Sequence, residues 1–576
     1  MTELTFSGLK WVMPPQTDRQ IVERLTSEIQ NLHPVIADIL IKRGMNSFDL
    51  VRNFFKTDLN RIDTYGEMKD CDIATDRLVR ALTNNEKILI YGDYDVDGAT
   101  SVSMLVLFLK SFGADVSYYI PDRYKEGYGV SNQGADYALS EKYDLMITVD
   151  CGISAVHELN RVTEAGIDVI ICDHHLPGDE LPKVFAILNP QQADCPYKGK
   201  ELCGCGVALI LIKSLSRKLN KPNEWKNYLD LAAIATCCDI VPIRGVNRII
   251  VQAGIEQINT QRRTSIKALL KIAGYEENLD VSDVVFKIGP RINAAGRLKH
   301  ANVAVDLLIE SDFDRASEIA AKMENLNVKR KAMDKDITES ALAQMHLNDP
   351  GLVRHTTIVH SEDWHKGVIG IVASRLIERC HRPTIVFTNT DGMLTGSGRS
   401  VDGVHLFEAL KSCADHLDKF GGHAAAAGLS LKSEALPEFI EAFEEAIAKQ
   451  APNRVSPKLK IDAVTDFPEW YNDTFDRFYA QLNRCRPFGP ANSQPVFATF
   501  SCQAKQVRTV GKDHLKFEVY QEGSPDIGIA VIAFNMAGHY DALASGETFG
   551  LAYNIGENTW RGSSSLQLTA KDIVVG

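Results

Sequence analysis

The chain has 576 residues, which at roughly 150 residues per domain predicts three or four domains. Hydrophobic residues make up 45% and charged residues 24%, an ordinary globular composition that excludes disordered, collagen-like and fibrous classes. Lys plus Arg total 63 against 75 Asp plus Glu, and the net charge of −12 excludes a uniformly basic nucleic-acid coat but not a local basic groove.

No apolar run is long enough for a transmembrane helix, so no membrane association is expected. The first 19 residues lack the apolar core of a signal peptide. The 12 cysteines are scattered, as expected for reduced thiols in a cytoplasmic protein. Cys203-Gly204-Cys205, with Cys195 upstream, lacks a zinc spacing, and Cys237 and Cys238 are expected as buried helix residues.

Residues 1–60 are predicted to be a short helical cap: Pro14-Pro15 breaks the start, and Ile21 to Gln30 and Pro34 to Arg43 have helical spacing. From about residue 85 short apolar runs alternate with helical stretches. Lys87 to Tyr91 is a strand ending in Gly92-Asp93, followed by a helix from Ala99 to Lys110. Asp115 to Ile120 is a strand stopped by Pro121, and Asp144 to Val149 is another, ending at Asp150. Ser154 is expected to cap a helix to about Glu164. Asp168 to Cys172 ends at Asp173, and Val184 to Leu188 is stopped by Asn189-Pro190. This alternation predicts an α/β fold with a parallel sheet covered on both faces.

Residues 260–345 are helical and charged. Asp312 to Met345 contains no Pro or Gly and reads as one long helix or two, either bridging domains or standing as a solvated pair. A second α/β unit follows, with strands Thr356 to His360 and Thr384 to Phe387 around a helix from Gly367 to Glu378. Then come two glycine-rich stretches, Thr395 to Arg399 and Gly421 to Gly428. Gly396 and Gly398 are expected to let the backbone approach a phosphate, with Ser397 and Arg399 as donors. Residues 455–576 read as a small β barrel or sandwich, with candidate strands at Lys458–Val464, Val496–Val507, His514–Tyr520, Ile527–Phe534, Thr548–Ile555 and Ser565–Val574.

Three acidic sites fall at the ends of three predicted strands: Asp93-Tyr94-Asp95-Val96-Asp97-Gly98, then Asp150, then Asp173-His174-His175. A parallel sheet gathers such ends at one edge, where open α/β sheets bind ligands. Carboxylates crowded there need cations. Oxygen donors with one or two imidazoles favour Mn2+ or Mg2+, and two ions can share bridging carboxylates. Taken singly, Asp150 and Asp173 read as helix caps; their recurrence at strand ends argues for a metal site. Asp239, between a helix and Ile240-Val241-Pro242, reads by pattern as a cap only.

The segments YGDYDVDGATS, TVDCGIS, CDHH and CCDIVP, in this order, resemble the DHH phosphoesterase superfamily. FKIGPRINAAGRL (Phe286 to Leu298), GSGRS (Gly396 to Ser400) and GGHAAAAG narrow the resemblance to its RecJ group of single-strand-specific exonucleases. The C-terminal pieces Arg486 to Gly489, Gly511 to Lys516 and Trp560 to Gly562 fit the same group.

The resemblance implies an architecture: a parallel-sheet DHH domain over 61–300, connecting helices over 301–345, a DHHA1-like α/β domain over 346–452 and an OB-fold-like β-barrel over 453–576. It also implies metal ligands at Asp95, Asp97, Asp150, His174 and Asp239, holding two Mn2+ or Mg2+ ions. Asp93 and His175 stand beside them as catalytic residues, with His175 either bonding a nonbridging phosphate oxygen or orienting a ligand. Arg123, Ser397 and Arg399 match positions that hold a 5′ end and its phosphate, and Arg291 and His423 match backbone-contacting positions. Cys151 replaces the family's usual Asn, and Gly489 to Gln494 departs from its Gly-rich form at the expected barrel entry.

The implied activity is metal-dependent 5′-to-3′ hydrolysis of single-stranded DNA to mononucleotides in repair and recombination. The implied partners are a strand with a 5′ end, a helicase and a single-strand-binding protein, and the implied state is a monomer. The alternatives are a phosphodiesterase of short RNA or cyclic dinucleotides, against which the C-terminal extension argues, and an inactive scaffold, against which the complete ligand set argues.

For the strand itself, residues 261–300 carry eight Lys or Arg against four Asp or Glu. Arg262, Arg263, Lys267, Lys271, Lys287, Arg291, Arg297 and Lys299, with Lys329-Arg330-Lys331, form either a cationic channel or a solvated helix face. Tyr124 and Tyr128 are candidates for base stacking or rim packing, whereas Phe517, Tyr520, Phe534, Tyr553 and Trp560 are expected in the barrel core.

Overall fold

The computed structural model describes residues 5–275, 278–348, 354–390, 392–453, 456–471, 475–560 and 563–575. The chain folds into two compact units. One runs from Thr57 to residue 453 and takes in Gly489–Asn492; the other joins the described residues up to Lys56 to those from 456 to Phe488 and from Ser493 onward.

In the larger unit, the first sheet has five parallel strands in the spatial order Val116–Tyr119, Ile88–Gly92, Leu145–Val149, Asp168–Cys172, Ala186–Leu188. Successive side chains face opposite layers. Ile88, Ile90, Ile147 and Ile170 pack against the helices Val96–Ser111, Gly204–Lys218 and Leu229–Cys238. Leu89, Tyr91, Met146, Val169 and Ile171 pack against Asn132–Ser140 and Val156–Glu164. Apolar residues on both faces explain why these strands read as continuous runs. The chain leaves the central strand Ile88–Gly92 toward one edge and returns to its other side at Leu145–Val149. The strand order therefore reverses between Asp93 and Asp150, the position where doubly wound sheets open a crevice.

Phe313–Asn348 is one unbroken helix, about 54 Å long by its rise per residue, which decides between the two sequence readings. Ala316, Ala320 and Met323 join the core of the first sheet layer, and Ile337 and Ala341 join that of the second. The second sheet has the order Lys419–Gly422, Ala426–Lys432, Met393–Arg399, Thr384–Thr390, Thr357–His360, antiparallel except for its last pair.

Several local expectations change. Ser154 is not a cap: the helix starts at Val156 after Ala155, with no side-chain cap. The glycine-rich stretch is a strand, and its glycines serve packing, not phosphate approach. A Cβ at Gly396 would lie 2.5 Å from the Phe387 ring, and one at Gly398 would lie 3.0 Å from Leu406. Pleating turns Ser397 and Arg399 to the opposite face. Gly489 packs on Ile243, whose amide donates to the Pro490 carbonyl (2.7 Å), so this segment belongs to the larger unit rather than to a barrel entry.

In the smaller unit, Phe497–Val510, His514–Gln521, Ser524–Ala533, Ser563–Val575 and Phe549–Trp560 pair in that order, and the first also pairs with the last. This closes a five-stranded barrel. The N-terminal helices do not stand apart as a cap: Leu25, Ile36, Ile39, Leu40 and Val51 are part of the barrel's core. Lys10–Val12 pairs in parallel with Lys458–Lys460. Phe517 and Tyr553 are buried as expected, but Phe534 is exposed and Tyr520 lies under the Lys505 ammonium. Arg561, Gly562 and the Trp560 side chain lie outside the described residues.

Candidate metal centre

Each acidic motif is placed by an element boundary. Asp95 is the N-cap of the helix Val96–Ser111, where its Oδ1 accepts from the amides of Asp97 (2.9 Å) and Gly98 (3.1 Å). Gly98 is required there, since a Cβ would lie 2.2 Å from the Asp93 carbonyl oxygen. Asp97, in the first turn, is buried and accepts from the Gly204 (2.6 Å) and Cys205 (2.7 Å) amides at the start of the helix Gly204–Lys218. Asp150 follows its strand in a left-handed conformation (φ 57°) and is buried. Asp239 ends the helix Leu229–Cys238.

The His174 ring bonds the Leu202 carbonyl, which leaves Nε2 facing three carboxylates. Nε2 lies 3.2 Å from Asp150 Oδ1, 3.7 Å from Asp239 Oδ2 and 3.9 Å from Asp97 Oδ2. Oxygen and nitrogen donors around one ion of about 2.1 Å bond length lie about 3 Å apart, so this spacing suits a shared cation. Asp93, Asp95 and Asp150 form one cluster of donor atoms within 4.8 Å of one another, and Asp97, His174 and Asp239 form a second. Asp150 also reaches His174, so it stands between the two.

The electrostatics require positive charge. Burial first, then Asp97, pushes the Asp150 carboxyl well above its ordinary range; burial and Asp95 do the same to Asp93. Asp97 is pushed up to about 6 by burial and Asp95, and Asp239 to about 9 by burial and Asp97. Burial and the neighbouring His175 lower His174 to about 4, which keeps it in the neutral form that ligates metals. Asp93 Oδ1, His174 Nε2 and Asp239 Oδ2 are buried without a hydrogen-bond partner. These orphaned donors and unfavourable carboxylates fit two divalent cations.

The third acidic motif divides its labour. Asp173 does not join His174. Its Oδ1 accepts from His175 Nδ1 (2.7 Å) and from the amides of His174 (2.7 Å) and His175 (3.1 Å), and its Oδ2 accepts from the Ile153 amide (2.9 Å). Burial opposes the Asp173 charge, but these bonds outweigh it and hold the carboxyl below its ordinary range. Burial likewise opposes the His175 cation, and the Asp173 bond outweighs it and raises the imidazole. Tyr128 Oη lies 2.8 Å from His175 Nε2. By pattern Asp173 counted only as part of an acidic motif at a strand end or as a helix cap; its bond to His175 was not visible there.

Cys151 turns away from the carboxylates. Its thiol is buried among apolar residues, bonds the Val149 carbonyl (3.4 Å) and is pushed up by burial and Asp173.

Beside the acidic cluster is a group of arginines. Arg123 lies over the Tyr94 ring, 4.7 Å from its centroid. Arg399 Nη1 donates to Ser397 Oγ (3.1 Å). Both side chains abut Gly370 at the start of the helix Ile369–Cys380, where a Cβ would lie 2.9 Å from Ser397 Oγ and 3.0 Å from Arg399 Nη2. Burial and Arg123 lower both Arg297, to about 10, and Arg399. Arg297, which sequence reasoning named only for a groove, donates to the Gly367 carbonyl (3.1 Å) and also feels Arg330 and Arg399. Mutually repelling guanidinium groups of this kind suit an anion.

The other expected binders differ in their placement. Arg291 is buried and paired with Glu324 (2.5 Å), so it is committed inside the protein rather than presented to a backbone. His423 lies at the exposed turn of a hairpin whose Ala426 pairs with Arg399. The basic stretch is neutralised only in part: Arg263 pairs with Asp230 and Lys287 with Asp283, whereas Lys267 and Lys271 lie over the Phe313 ring and keep their charge. Lys329 and Lys331 are exposed, whereas Arg330 is buried near Asp334. Tyr124 donates to the Arg297 carbonyl, a packing role.

The comparisons with known proteins agree with this geometry. Residues 87–236 match the DHH family N-terminal domain, 352–449 the DHHA1 domain and 465–572 the RecJ OB domain. The single-stranded-DNA-specific exonuclease RecJ of Bacillus subtilis (strain 168) is 37% identical over 99% of this chain and 71% of its own length. The crystal structure of RecJ in complex with Mn2+ from Thermus thermophilus is similar with a TM-score of 0.83 at 28% identity, covering 98% of this chain and 79% of that one. The complex of RecJ with Mg2+ from that source has a TM-score of 0.78 at 25% identity, covering 98% and 78%.

Proposed function

The chain belongs to the RecJ family of exonucleases, and we propose that it removes mononucleotides from the 5′ end of single-stranded DNA, in repair and recombination. The observation that carries this reading is the pairing of two clusters: acidic donors suited to two divalent ions, and an arginine group adjoining them through Tyr94.

In this reading Asp95, Asp97, Asp150, His174 and Asp239 would hold two Mn2+ or Mg2+ ions, and Asp93, expected as a catalytic residue, becomes a candidate ligand because its carboxylate shares a donor cluster with Asp95 and Asp150. Such ions activate water at neutral pH and offset the charge that develops as the bond to the 3′ oxygen breaks. Arg123, Arg297, Ser397 and Arg399 hold a terminal phosphate, so the next phosphodiester along the strand falls at the acidic cluster and one nucleotide is released. Binding the free end gives the polarity. Asp173 fixes the His175 ring by accepting from its Nδ1, which turns Nε2 toward Tyr128 Oη (2.8 Å); on strand binding Nε2 exchanges that contact for a nonbridging phosphate oxygen. His423, on the hairpin beside Arg399, contacts the strand backbone.

A helicase and a single-strand-binding protein would supply the strand, and the protein acts in the cytoplasm as a monomer. Among the described residues no helix is long and apolar enough to cross a membrane.

The test is digestion in Mn2+ of strands bearing either a 5′ phosphate or a 5′ hydroxyl and labelled at each end. The expected result is mononucleotide release from the 5′ end, abolished by a chelator, with Arg399→Ala reducing the preference for the phosphate about tenfold or more. Release from the 3′ end, or an unchanged preference in Arg399→Ala, rejects the end-holding role. Cleavage confined to short RNA favours a small-substrate phosphodiesterase.

A further inference from the structure

The buried stripe of the long helix Phe313–Asn348 advances in alternating steps of three and four residues, the spacing that keeps one face turned inward. At one end the stripe is apolar, with Ala316, Ala320 and Met323, and at the other it is apolar again, with Ile337 and Ala341. Its middle is Asn327, Arg330 and Asp334, and all three are buried. Polar groups at positions that packing would otherwise fill with apolar side chains destabilise unless partners compensate them. The partners of Asp334 are arginines. Its side chain has 0% exposure, and its Oδ2 lies 2.6 Å from Arg375 Nη2 and 3.7 Å from Arg330 Nη1. Neither carboxylate oxygen has a hydrogen-bond partner among the described residues, so guanidinium charge is what holds it.

The same carboxylate reaches the arginine group beside the metal centre. Burial pushes the Asp334 carboxyl up, and the charges of Arg375, Arg330 and Arg297 pull against that. Arg297 in turn feels Arg123, Arg330 and Arg399. Asp334 thus sets one buried negative charge within a group of positive ones. That charge opposes any anion the arginines bind, and in a poorly solvated interior the opposition is felt over several ångströms. An exonuclease that holds a terminal phosphate meets a difficulty of its own making, because the mononucleotide it cuts off still carries that phosphate. Arginines that grip substrate and product alike add nothing to turnover and slow release. We propose that Asp334 is a positioning residue that sets the charge of the end-holding arginines: it keeps Arg330 and Arg375 to itself and weakens the grip of the group enough for the cleaved mononucleotide to leave. The inference rests on the end-holding reading above.

The test uses the full chain in chelator, where strands bind without being cut. Binding of 3′-fluorescent oligonucleotides bearing either a 5′ phosphate or a 5′ hydroxyl is read by anisotropy. Asp334→Asn keeps the shape of the side chain and removes its charge. It is expected to bind the phosphorylated strand about tenfold more tightly and the hydroxyl strand as the wild type does. In Mn2+ it is expected to be inhibited by deoxyadenosine monophosphate at about a tenth of the concentration that inhibits the wild type. Arg375 is half-exposed, and Arg375→Gln leaves Asp334 less compensated. That variant is expected to do the reverse, weakening binding of the phosphorylated strand alone by about threefold. Weaker binding of both strands by Asp334→Asn would make the residue a structural tie and overturn the proposal. Where Asp334→Asn fails to fold, Arg375→Gln decides: a phosphorylated strand bound as tightly as by the wild type overturns it. A wild type that binds the two strands equally would instead remove the end-holding reading itself.

Discussion

Gly204 is the residue on which the two halves of the metal centre meet. Its amide and that of Cys205 hold Asp97, and its Cα faces Asp150. A Cβ there would lie 2.6 Å from Asp150 Cβ and 2.8 Å from its Cα, so the start of the helix would have to retreat and carry both amides away from Asp97. In an ordinary helix the change from Gly to Ala stabilises by about 0.5–1 kcal/mol. Here the expected sign is opposite for function: Gly204→Ala lowers Mn2+ affinity by about 10- to 100-fold, measured by calorimetry. Gly538→Ala, where a Cβ meets nothing within 4 Å, is the control. Unaltered Mn2+ binding in Gly204→Ala would show that the two helix starts move independently.

The elements of the second sheet layer are tied by Glu444, on the helix Leu436–Gln450. Its carboxylate accepts from the amides of His355 (2.5 Å) and Thr356 (3.0 Å) and from the Thr356 hydroxyl (2.5 Å), just before the strand Thr357–His360. Burial opposes the charge, but these bonds outweigh it and lower the carboxyl below its ordinary value of 4.5. A folded carboxyl that titrates below the unfolded one stabilises fully above the unfolded value, and that stabilisation is lost as the pH falls through the folded value. Glu444→Gln is therefore expected to cost about 1–2 kcal/mol at pH 7, with the difference from wild type shrinking below about pH 4 in urea titrations. A deficit independent of pH would assign the loss to geometry rather than to charge.

At the scale of the molecule, the barrel borrows its core from the other end of the chain. Leu25, Ile36, Ile39, Leu40 and Val51 are almost fully buried in it. Together they contribute of the order of 10 kcal/mol, comparable to the whole net stability of a domain. A chain beginning at Thr57 is expected to have a barrel that binds hydrophobic dyes and is cut by proteases within 456–575. Residues 57–453, which keep their own core, are expected to stay resistant. A barrel that remains resistant without the N-terminal helices would mean that its own strands suffice.

Local signals along the chain were enough to specify the parallel sheet and the acidic motifs at its edge. Short apolar runs, their stops at Gly92, Pro121 and Pro190 and the carboxylates beside them can all be read without knowing what packs where. Asp95, Asp97, Asp150, His174 and Asp239 lie in two adjoining clusters of donor atoms, although Asp239 carried no signal of its own beyond a cap. Which residues share an ion was settled by packing, because it depends on strand order: the reversal between Ile88–Gly92 and Leu145–Val149 brings Asp93, Asp95 and Asp150 together. Packing also settled which cations remain for a substrate. Arg291 and Arg297 lie six residues apart in a shared motif, yet Glu324 of another helix neutralises the first while the second faces other arginines. A side chain's charge is written in the sequence, but whether a partner cancels it is set by what packs against it.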